Sequence, residues 1–150
     1  ASEVLEHIYN DEDALSELFR VLKPKGILGI TVPSYFPEKI CWALSDEYHA
    51  PIEAGGHVRI YKKRELEAKI SAVGLTPIDF HRAHALHSPY WWLKCAVGTK
   101  NDQNRLVKAY LRFLTWDIVK QPRSTWLAEK ILQPVLGKSA IIYAQKTAIA

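Results

Sequence analysis

The feature that most constrains the fold of this chain is a short strand-like run that is apolar on both faces. Residues 27–32 read Ile-Leu-Gly-Ile-Thr-Val and directly follow a Lys-Pro-Lys-Gly turn at residues 23–26. A strand with no polar face must be covered on both sides, which is typical of a parallel sheet packed between helices. Upstream, apolar residues at helical spacing predict an amphipathic helix: Ala14, Leu15, Leu18, Phe19 and Leu22. Helix, tight turn and buried strand together predict an α/β fold.

Further along the chain, the same periodicities predict two more strands and several helices. Residues 76–82 and 140–144 are predicted strands, and residues 66–73 are a predicted helix. A longer helical stretch is predicted to begin at Ser88 and Pro89, because serine caps helices and proline is favoured at the first helical position.

The composition excludes several classes of protein. A content of 48% hydrophobic and 24% charged residues is that of a globular chain and rules out disorder, collagen and coiled coil. The formal net charge of +4 is too small to argue for nucleic-acid binding. The two cysteines make neither a disulfide framework nor a zinc-ligand set, and no apolar run has the length of a membrane-spanning helix. We therefore expect a cytoplasmic protein with at most peripheral membrane contact.

Chemically active side chains cluster at the start of the chain, which reads Ser-Glu-Val-Leu-Glu-His-Ile over residues 2–8. If this segment is helical, spacings of three and four residues place Glu3, Glu6 and His7 on one face. Two carboxylates and an imidazole on one face can bind a divalent cation; the alternative is that they are ordinary surface residues. Because the chain contains no methionine, we interpret it as the C-terminal part of a longer protein.

The order of these segments resembles that of class I S-adenosylmethionine-dependent methyltransferases. The resemblance rests on residues 2–8, on the Leu-Lys-Pro-Lys-Gly turn at 22–26 before the buried strand, and on Gly-His-Val-Arg at 56–59 before a helix. It implies a mixed Rossmann-like sheet in which this chain supplies the equivalents of strands 5, 7 and 6, adjacent in that order, with strand 7 antiparallel. The glycine-rich cofactor loop that follows strand 1 in this family is absent from the chain.

The resemblance also implies one partial methyltransferase domain over residues 1–150. Residues 1–87 would be the α/β core, residues 88–138 a helical insertion over the substrate side, and residues 139–150 the last strand. We expect these 150 residues alone to be inactive and to bind S-adenosylmethionine weakly. The apolar strand would also lack its neighbour, and an unpaired edge favours pairing with a second copy as a homodimer.

The opening segment most closely resembles the quinone-biosynthesis O-methyltransferases, and the likeness implies roles residue by residue. It assigns Ser2, Glu3 and Val4 to the cofactor site, and Glu3, Glu6 and His7 to a divalent metal, usually magnesium. Such a metal would hold an acceptor hydroxyl and lower its pKa. Without a metal, His7 would be the general base, because imidazole changes charge near neutral pH.

Two further groups of histidines need interpretation. His57 and Arg59 are catalytic candidates, because the loop that carries them borders the substrate in the resembled fold; an ion pair or cap that fixes this loop is the alternative. His81, His84 and His87 repeat every third residue, but on a strand that runs into a loop their side chains diverge. We therefore expect them to be ordinary surface or loop residues.

The aromatic residues of the second half are predicted to be mostly the core of a helical subdomain, with one or two lining the substrate pocket: Tyr90, Trp91, Trp92, Tyr110, Phe113, Trp116 and Trp126. The predicted function is methyl transfer to oxygen or carbon of a small, largely apolar acceptor. The rival hypothesis is a non-catalytic, aromatic-rich helical module that binds protein or lipid. Methylation of RNA has only the mild positive charge in its favour.

Overall fold

The computed structural model describes residues 1–49 and 56–147 of the chain. In chain order its elements are α1 Asp11–Val21, β1 Ile27–Pro33, α2 Tyr35–Leu44, α3 Lys63–Ala72, β2 Leu75–Ala83, α4 His87–Val97, α5 Arg105–Lys120, α6 Arg123–Leu136 and β3 Ser139–Lys146. Two 3-10 turns, Leu5–His7 and Asp46–Tyr48, precede α1 and follow α2.

The three strands form one sheet of order β1-β3-β2, in which β3 is antiparallel to both neighbours. This order and direction confirm the predicted α/β fold, with the equivalents of strands 5, 7 and 6. Ile142 on the central strand is opposite Ile30 on one side and Phe80 on the other. All three predicted strands are present, each one to three residues longer than expected.

The start of the chain covers part of the outer edge of β1. The amino group of Ala1 donates to the carbonyl of Gly29 at 2.9 Å, and the amide of Thr31 donates to the carbonyl of Ala1 at 2.9 Å. Ser2 forms a parallel bridge with Thr31, so the sheet is mixed at this edge. Ile27 remains 57% exposed. Self-association through this edge stays a prediction, which sedimentation velocity would test.

The core lies where α1 and α3 pack against the sheet. Leu15 of α1, Ile30 of β1, Leu66 and Ile70 of α3, and Ile142 of β3 are all 1% exposed or less. Burying each such side chain contributes roughly 1.5–3 kcal/mol. One face of the apolar strand is buried as predicted, with Leu28, Ile30 and Val32 in the core, but the expected cover on the other face is only partial. On that face Ile27 is exposed, and Gly29 and Thr31 are half-buried.

Three helices, α4, α5 and α6, lie between β2 and β3. Helix α4 contacts α2 and α5, and α6 packs on β2. The predicted cap is wrong: α4 begins at His87, and Ser88 lies inside it, where its hydroxyl donates a 2.6 Å hydrogen bond to the carbonyl of Leu136. The Ser88 hydroxyl, which local propensity predicts to cap the helix, instead forms a tertiary hydrogen bond. No helix in the described ranges is long and apolar enough to cross a membrane.

The helical region buries fewer aromatic side chains than its sequence predicts. Trp116 is 45% exposed and Trp126 62% exposed, and Phe113 is 36% exposed. Tyr110 is half-buried, and its hydroxyl donates to the carbonyl of Leu86 at 3.0 Å. None of the seven rings is fully buried, so the prediction that most of them form a core is wrong. Helix α5 packs mainly on α4, and α6 on β2, which leaves the outer faces of both helices uncovered.

Candidate active site

A cavity of about 500 Å³ opens where the N-terminal segment, the loop before α3 and the ends of β2 and β3 meet. Its lining comes from distant parts of the sequence: Glu3, His7, Tyr48, Gly56, His57, His84, His87, Trp91, Lys138 and Ser139. The volume is that of a small-molecule site. The structure therefore brings three predicted site residues, Glu3, His7 and His57, to one cavity.

Directly behind the cavity wall lies a fully buried carboxylate, Glu38 of α2. The Nζ atom of Lys138 donates to its Oε2 at 2.9 Å, and the indole Nε1 of Trp42 donates to its Oε1 at 3.1 Å. The hydroxyl of Tyr48 donates to Oε2 at 3.4 Å, and Nδ1 of His57 is hydrogen-bonded to Oε1. A buried charge is tolerated when it is paired and hydrogen-bonded in this way.

The partners of Glu38 decide its ionisation and thereby the tautomer of His57. Burial by itself raises the pKa of Glu38, but the hydrogen bond from His57 and the charge of Lys138 outweigh burial and lower the pKa from 4.5 to about 2. An ionised carboxylate can only accept hydrogen bonds. The proton between the two groups is therefore on Nδ1 of His57, and in the neutral ring Nε2 is left as a proton acceptor.

Two other carboxyl groups near the cavity lack hydrogen-bond partners among the described residues. Glu6 is fully buried and neither of its oxygens has a partner; Oε1 of Glu3 is likewise buried and unpartnered. Burial and, to a smaller extent, the negative charge of Glu3 raise the pKa of Glu6 from 4.5 to about 7, although a backbone hydrogen bond and His57 act in the opposite direction. Unpartnered buried carboxyl oxygens are costly, so this region is complementary to a cation or a hydrogen-bond donor.

Glu6, His7 and His57 bring potential metal-ligand atoms within 4.8 Å of one another. The resemblance implied Glu3, Glu6 and His7; in the described structure His57 takes the place of Glu3 in this group. Nε2 of His7 lies 3.8 Å from Oε1 of Glu6, and the rings of His7 and His57 have centroids 4.8 Å apart. Two imidazoles and one carboxylate suit zinc or iron better than magnesium, which prefers oxygen ligands.

The remaining predicted site residues are placed outside this cavity. The hydroxyl of Ser2 is hydrogen-bonded to that of Thr31 at 2.9 Å, and Val4 is 41% exposed beside α1. Arg59 forms an ion pair with Asp11 of α1. This ion pair is the contact that the alternative interpretation of Arg59 describes, and a catalytic role for Arg59 stays a prediction.

Several site residues escaped sequence reasoning. Glu38 had a weak signal, a carboxylate within the otherwise largely apolar helix Tyr-Phe-Pro-Glu-Lys-Ile-Cys-Trp. Lys138 had none, because it meets Glu38 across 100 positions of sequence. His84 and His87 were expected to be ordinary surface or loop residues, yet both line the cavity and Nδ1 of His87 is buried.

Fold and sheet order together define a Rossmann-like fold of the class I methyltransferase type. Three solved structures share it with this chain: the 4+2 cyclase SpnF (TM-score 0.50, 19% identity), the putative methyltransferase BH2331 from Bacillus halodurans C-125 (0.52, 18%) and a putative sarcosine dimethylglycine methyltransferase from Galdieria sulphuraria (0.51, 14%). Neither a protein-family description nor a curated protein sequence matches the chain.

The similarity extends over nearly the whole of this chain but over only part of each neighbour. The alignments cover 99%, 98% and 97% of the chain, and 48%, 62% and 51% of the three neighbours in the same order. The chain therefore spans about half the length of these structures. Identities this low establish the fold alone, and since one neighbour is a cyclase, the fold does not by itself decide the reaction.

Proposed function

We propose that this chain forms the acceptor side of an S-adenosylmethionine-dependent methyltransferase that acts on oxygen or carbon of a small, largely apolar acceptor. The observation that carries this proposal is the pairing of His57 with the fully buried, ionised Glu38 at the wall of the cavity. A histidine held by a carboxylate is the usual arrangement of a general base.

In this proposal Nε2 of His57 accepts the proton of an acceptor hydroxyl, or of an acidic C–H group, as the nucleophile forms. Glu38 stabilises the imidazolium that results, and Lys138 balances the charge of Glu38 throughout. The oxyanion or carbanion is then the nucleophile, and the proton remains on His57 until it is released to solvent. His7, whose ring lies against that of His57, is the adjacent candidate for relaying this proton.

The buried carboxyl groups bear on the cofactor. S-adenosylmethionine, when bound, supplies the methyl group from a positively charged sulfonium. The unpartnered oxygens of Glu3 and Glu6 fit the positive charges of such a molecule. Glu3 lines the cavity and would contact this cofactor. The family resemblance implies that Ser2 and Val4 would contact it as well.

A bound divalent cation is a second candidate for the same residues. The unpartnered oxygens of Glu6 and the proximity of His7 and His57 favour it. The two accounts exclude each other at His57, because a nitrogen that ligates a metal cannot accept a proton. Chelators distinguish them: loss of activity in EDTA, restored by zinc or iron, would favour the metal, and indifference to EDTA would favour the base.

A non-catalytic interaction module is the alternative from another class of function. The exposed apolar side chains along one side of α6 favour it: Leu127, Ile131 and Val135 are 52%, 66% and 61% exposed. Such a module would use this helix face as its contact surface. It requires no buried general base, which is why we place it second.

The test uses the full natural polypeptide that contains these residues. It measures the rate at which tritiated methyl groups pass from S-adenosylmethionine to each of a panel of phenols and enols. His57→Gln should lower the rate by roughly 10²- to 10⁴-fold, as expected when a general base is lost. His81→Gln is the matched control, since this exposed histidine of β2 stacks on Tyr143 and lies outside the cavity lining. An unchanged rate in His57→Gln would contradict the proposal.

A further inference from the structure

Helix α5 is attached to the rest of the described structure along one narrow stripe. Only Val107 and Leu114 of this helix are buried, and Tyr110 and Asp117 are half-buried beside them. These four positions follow one another at spacings of three or four residues, so they form a single line along the helix. The other twelve of its sixteen residues are exposed. Most of the surface of α5 therefore faces away from the described residues.

The surface of α5 opposite this stripe combines cations with large apolar side chains. An open groove of about 420 Å³ on this surface is lined by six residues, which together are here called the α5 outer face: Leu111, Arg112, Thr115, Trp116, Val119 and Lys120. Leu111, Trp116 and Val119 are 48%, 45% and 69% exposed. The exposed side chains of Arg105 and Lys108 extend the face towards the start of the helix.

The positive charge of the chain is concentrated on this helix. Four lysine or arginine residues and one acidic residue give α5 a net charge of +3, which is most of the +4 of the whole chain. The acidic residue, Asp117, lines a cavity together with His87 of α4, so its charge is directed away from the outer face. Within residues 1–49 and 56–147, none of the four cations is paired with a carboxylate.

Charge and composition together indicate what this face binds. A second copy of the chain would bring two positive faces together, and like charges repel. The centre of a protein interface is usually depleted of lysine and other charged residues, whereas on α5 the cations alternate with apolar side chains. Tryptophan, aliphatic residues and cations on one exposed helix are typical of helices that lie in the interface of an anionic membrane. The long stems of arginine and lysine allow their charges to reach the headgroups while the apolar side chains are buried.

We infer that the α5 outer face binds the surface of a membrane that contains anionic lipids. The helix lies along the membrane surface, and Leu111, Trp116 and Val119 enter the boundary between headgroups and acyl chains. Arg112 and Lys120 contact the lipid phosphates. This contact is peripheral, and it adds a membrane-binding surface to the protein without depending on the proposed function.

The test measures binding of the full natural polypeptide to two kinds of lipid vesicle by flotation. One kind contains equal parts of phosphatidylcholine and phosphatidylglycerol, and the other contains phosphatidylcholine alone. The protein should bind the anionic vesicles at least tenfold more tightly, because each lysine or arginine near an anionic surface is worth roughly fivefold in affinity. Added salt should weaken this binding, since it screens the attraction between the charges.

A pair of double variants separates the α5 outer face from the overall charge. Arg112→Gln combined with Lys120→Gln should weaken binding to the anionic vesicles roughly thirtyfold, as expected for two lost contacts with an anionic surface. Lys23→Gln combined with Arg64→Gln is the matched control. It removes the same charge from exposed positions before β1 and in α3, and it should change the affinity by less than about twofold.

The apolar part of the face is tested by Val119→Gln. This variant should weaken binding to the anionic vesicles by roughly three- to tenfold, because it removes an aliphatic side chain that the membrane would bury. Ile78→Gln is its control, since Ile78 is an exposed aliphatic residue of β2, outside α5, and should leave the affinity unchanged. Thermal melts establish that each variant is folded.

Three results would overturn the inference. The first is equal binding to both kinds of vesicle, or equal losses in the α5 variants and their controls. The second is the absence of vesicle binding together with binding to polyglutamate that requires Arg112 and Lys120, which would identify an acidic protein surface as the partner. The third is a dimer in sedimentation velocity that Val119→Gln dissociates, which would identify a second copy of the chain.

Discussion

The ion pair beneath the active-site loop gives a quantitative prediction. Asp11 is the first residue of α1 and is 3% exposed. It accepts hydrogen bonds from the hydroxyl of Tyr61 at 2.5 Å and from Nζ of Lys69 at 3.1 Å, and it forms an ion pair with Arg59. Because Arg59 stands two residues after His57, this carboxylate ties the loop of the proposed base to α1.

The magnitude follows from the pKa of Asp11. Burial raises this pKa, but hydrogen bonds from Arg59, Tyr61 and Lys69 outweigh burial and lower it from 3.8 to about 2. Since a tenfold change in proton affinity is worth about 1.4 kcal/mol, the ionised carboxylate stabilises the fold by about 2 kcal/mol. Asp11→Asn should therefore lower the free energy of unfolding by about 2 kcal/mol at pH 7.

The sign of the pH dependence is fixed by the same values. The unfolded chain binds the proton of Asp11 more tightly than the folded chain does, so the stabilisation is complete above about pH 4. It is lost as the pH falls towards the folded pKa of about 2. The difference between the unsubstituted chain and Asp11→Asn should thus be full at pH 7 and at pH 5, and clearly smaller at pH 3.

Urea unfolding followed by tryptophan fluorescence measures these differences. Asp13→Asn is the matched control, because Asp13 lies in the same first turn of α1 and favours the same helix dipole but is exposed. It should change the free energy of unfolding by less than about 0.5 kcal/mol. The reasoning is refuted if Asp11→Asn costs no more than Asp13→Asn, or if its cost is the same at pH 3 as at pH 7.

Two further substitutions test the fold around the site. Glu38→Gln should destabilise the protein by roughly 1–3 kcal/mol, because it leaves Lys138, whose side chain is only 12% exposed, without a countercharge; an unfolding midpoint in urea equal to that of the unsubstituted chain would contradict this ion pair. Gly74→Ala should lower the stability by about 1–3 kcal/mol in the same assay, since Gly74 has φ of +92° and an added Cβ would lie 3.2 Å from the ring of Phe19. A neutral effect would mean that α3 ends differently.

The fold could be predicted because its decisive signals are local. An apolar run such as residues 27–32 predicts a strand with a buried face wherever it lies in the chain, and the turn at residues 23–26 fixes where the preceding helix ends. Ser88 failed as a predictor for the opposite reason. Its hydroxyl binds the carbonyl of Leu136, a partner 48 positions away that no local propensity can identify.

The candidate site likewise contains residues whose proximity is local in sequence and residues that only the fold brings together. Glu6 and His7 are neighbours in the sequence, and their proximity requires no knowledge of the fold. By contrast, Glu38, His57 and Lys138 come from α2, from the loop before α3 and from the residue before β3, and they meet only because β3 inserts between β1 and β2. Of these three residues only His57 was identified from the sequence, and their pairing could not be predicted from it.

That pairing also bears on which reaction the fold serves, since a cyclase and methyltransferases share it. A cycloaddition transfers no proton, so a cavity shaped for it gains nothing from an ionised carboxylate buried behind its wall. Removing Glu38 from water is costly, and Lys138 and Trp42 are needed to offset this cost. Burial of an ionised carboxylate is useful where a neighbouring base becomes charged during the reaction, because Glu38 then stabilises the imidazolium of His57. The buried pair is therefore the feature that supports the proposed reaction, in which methylation of a hydroxyl or an acidic carbon begins with removal of a proton.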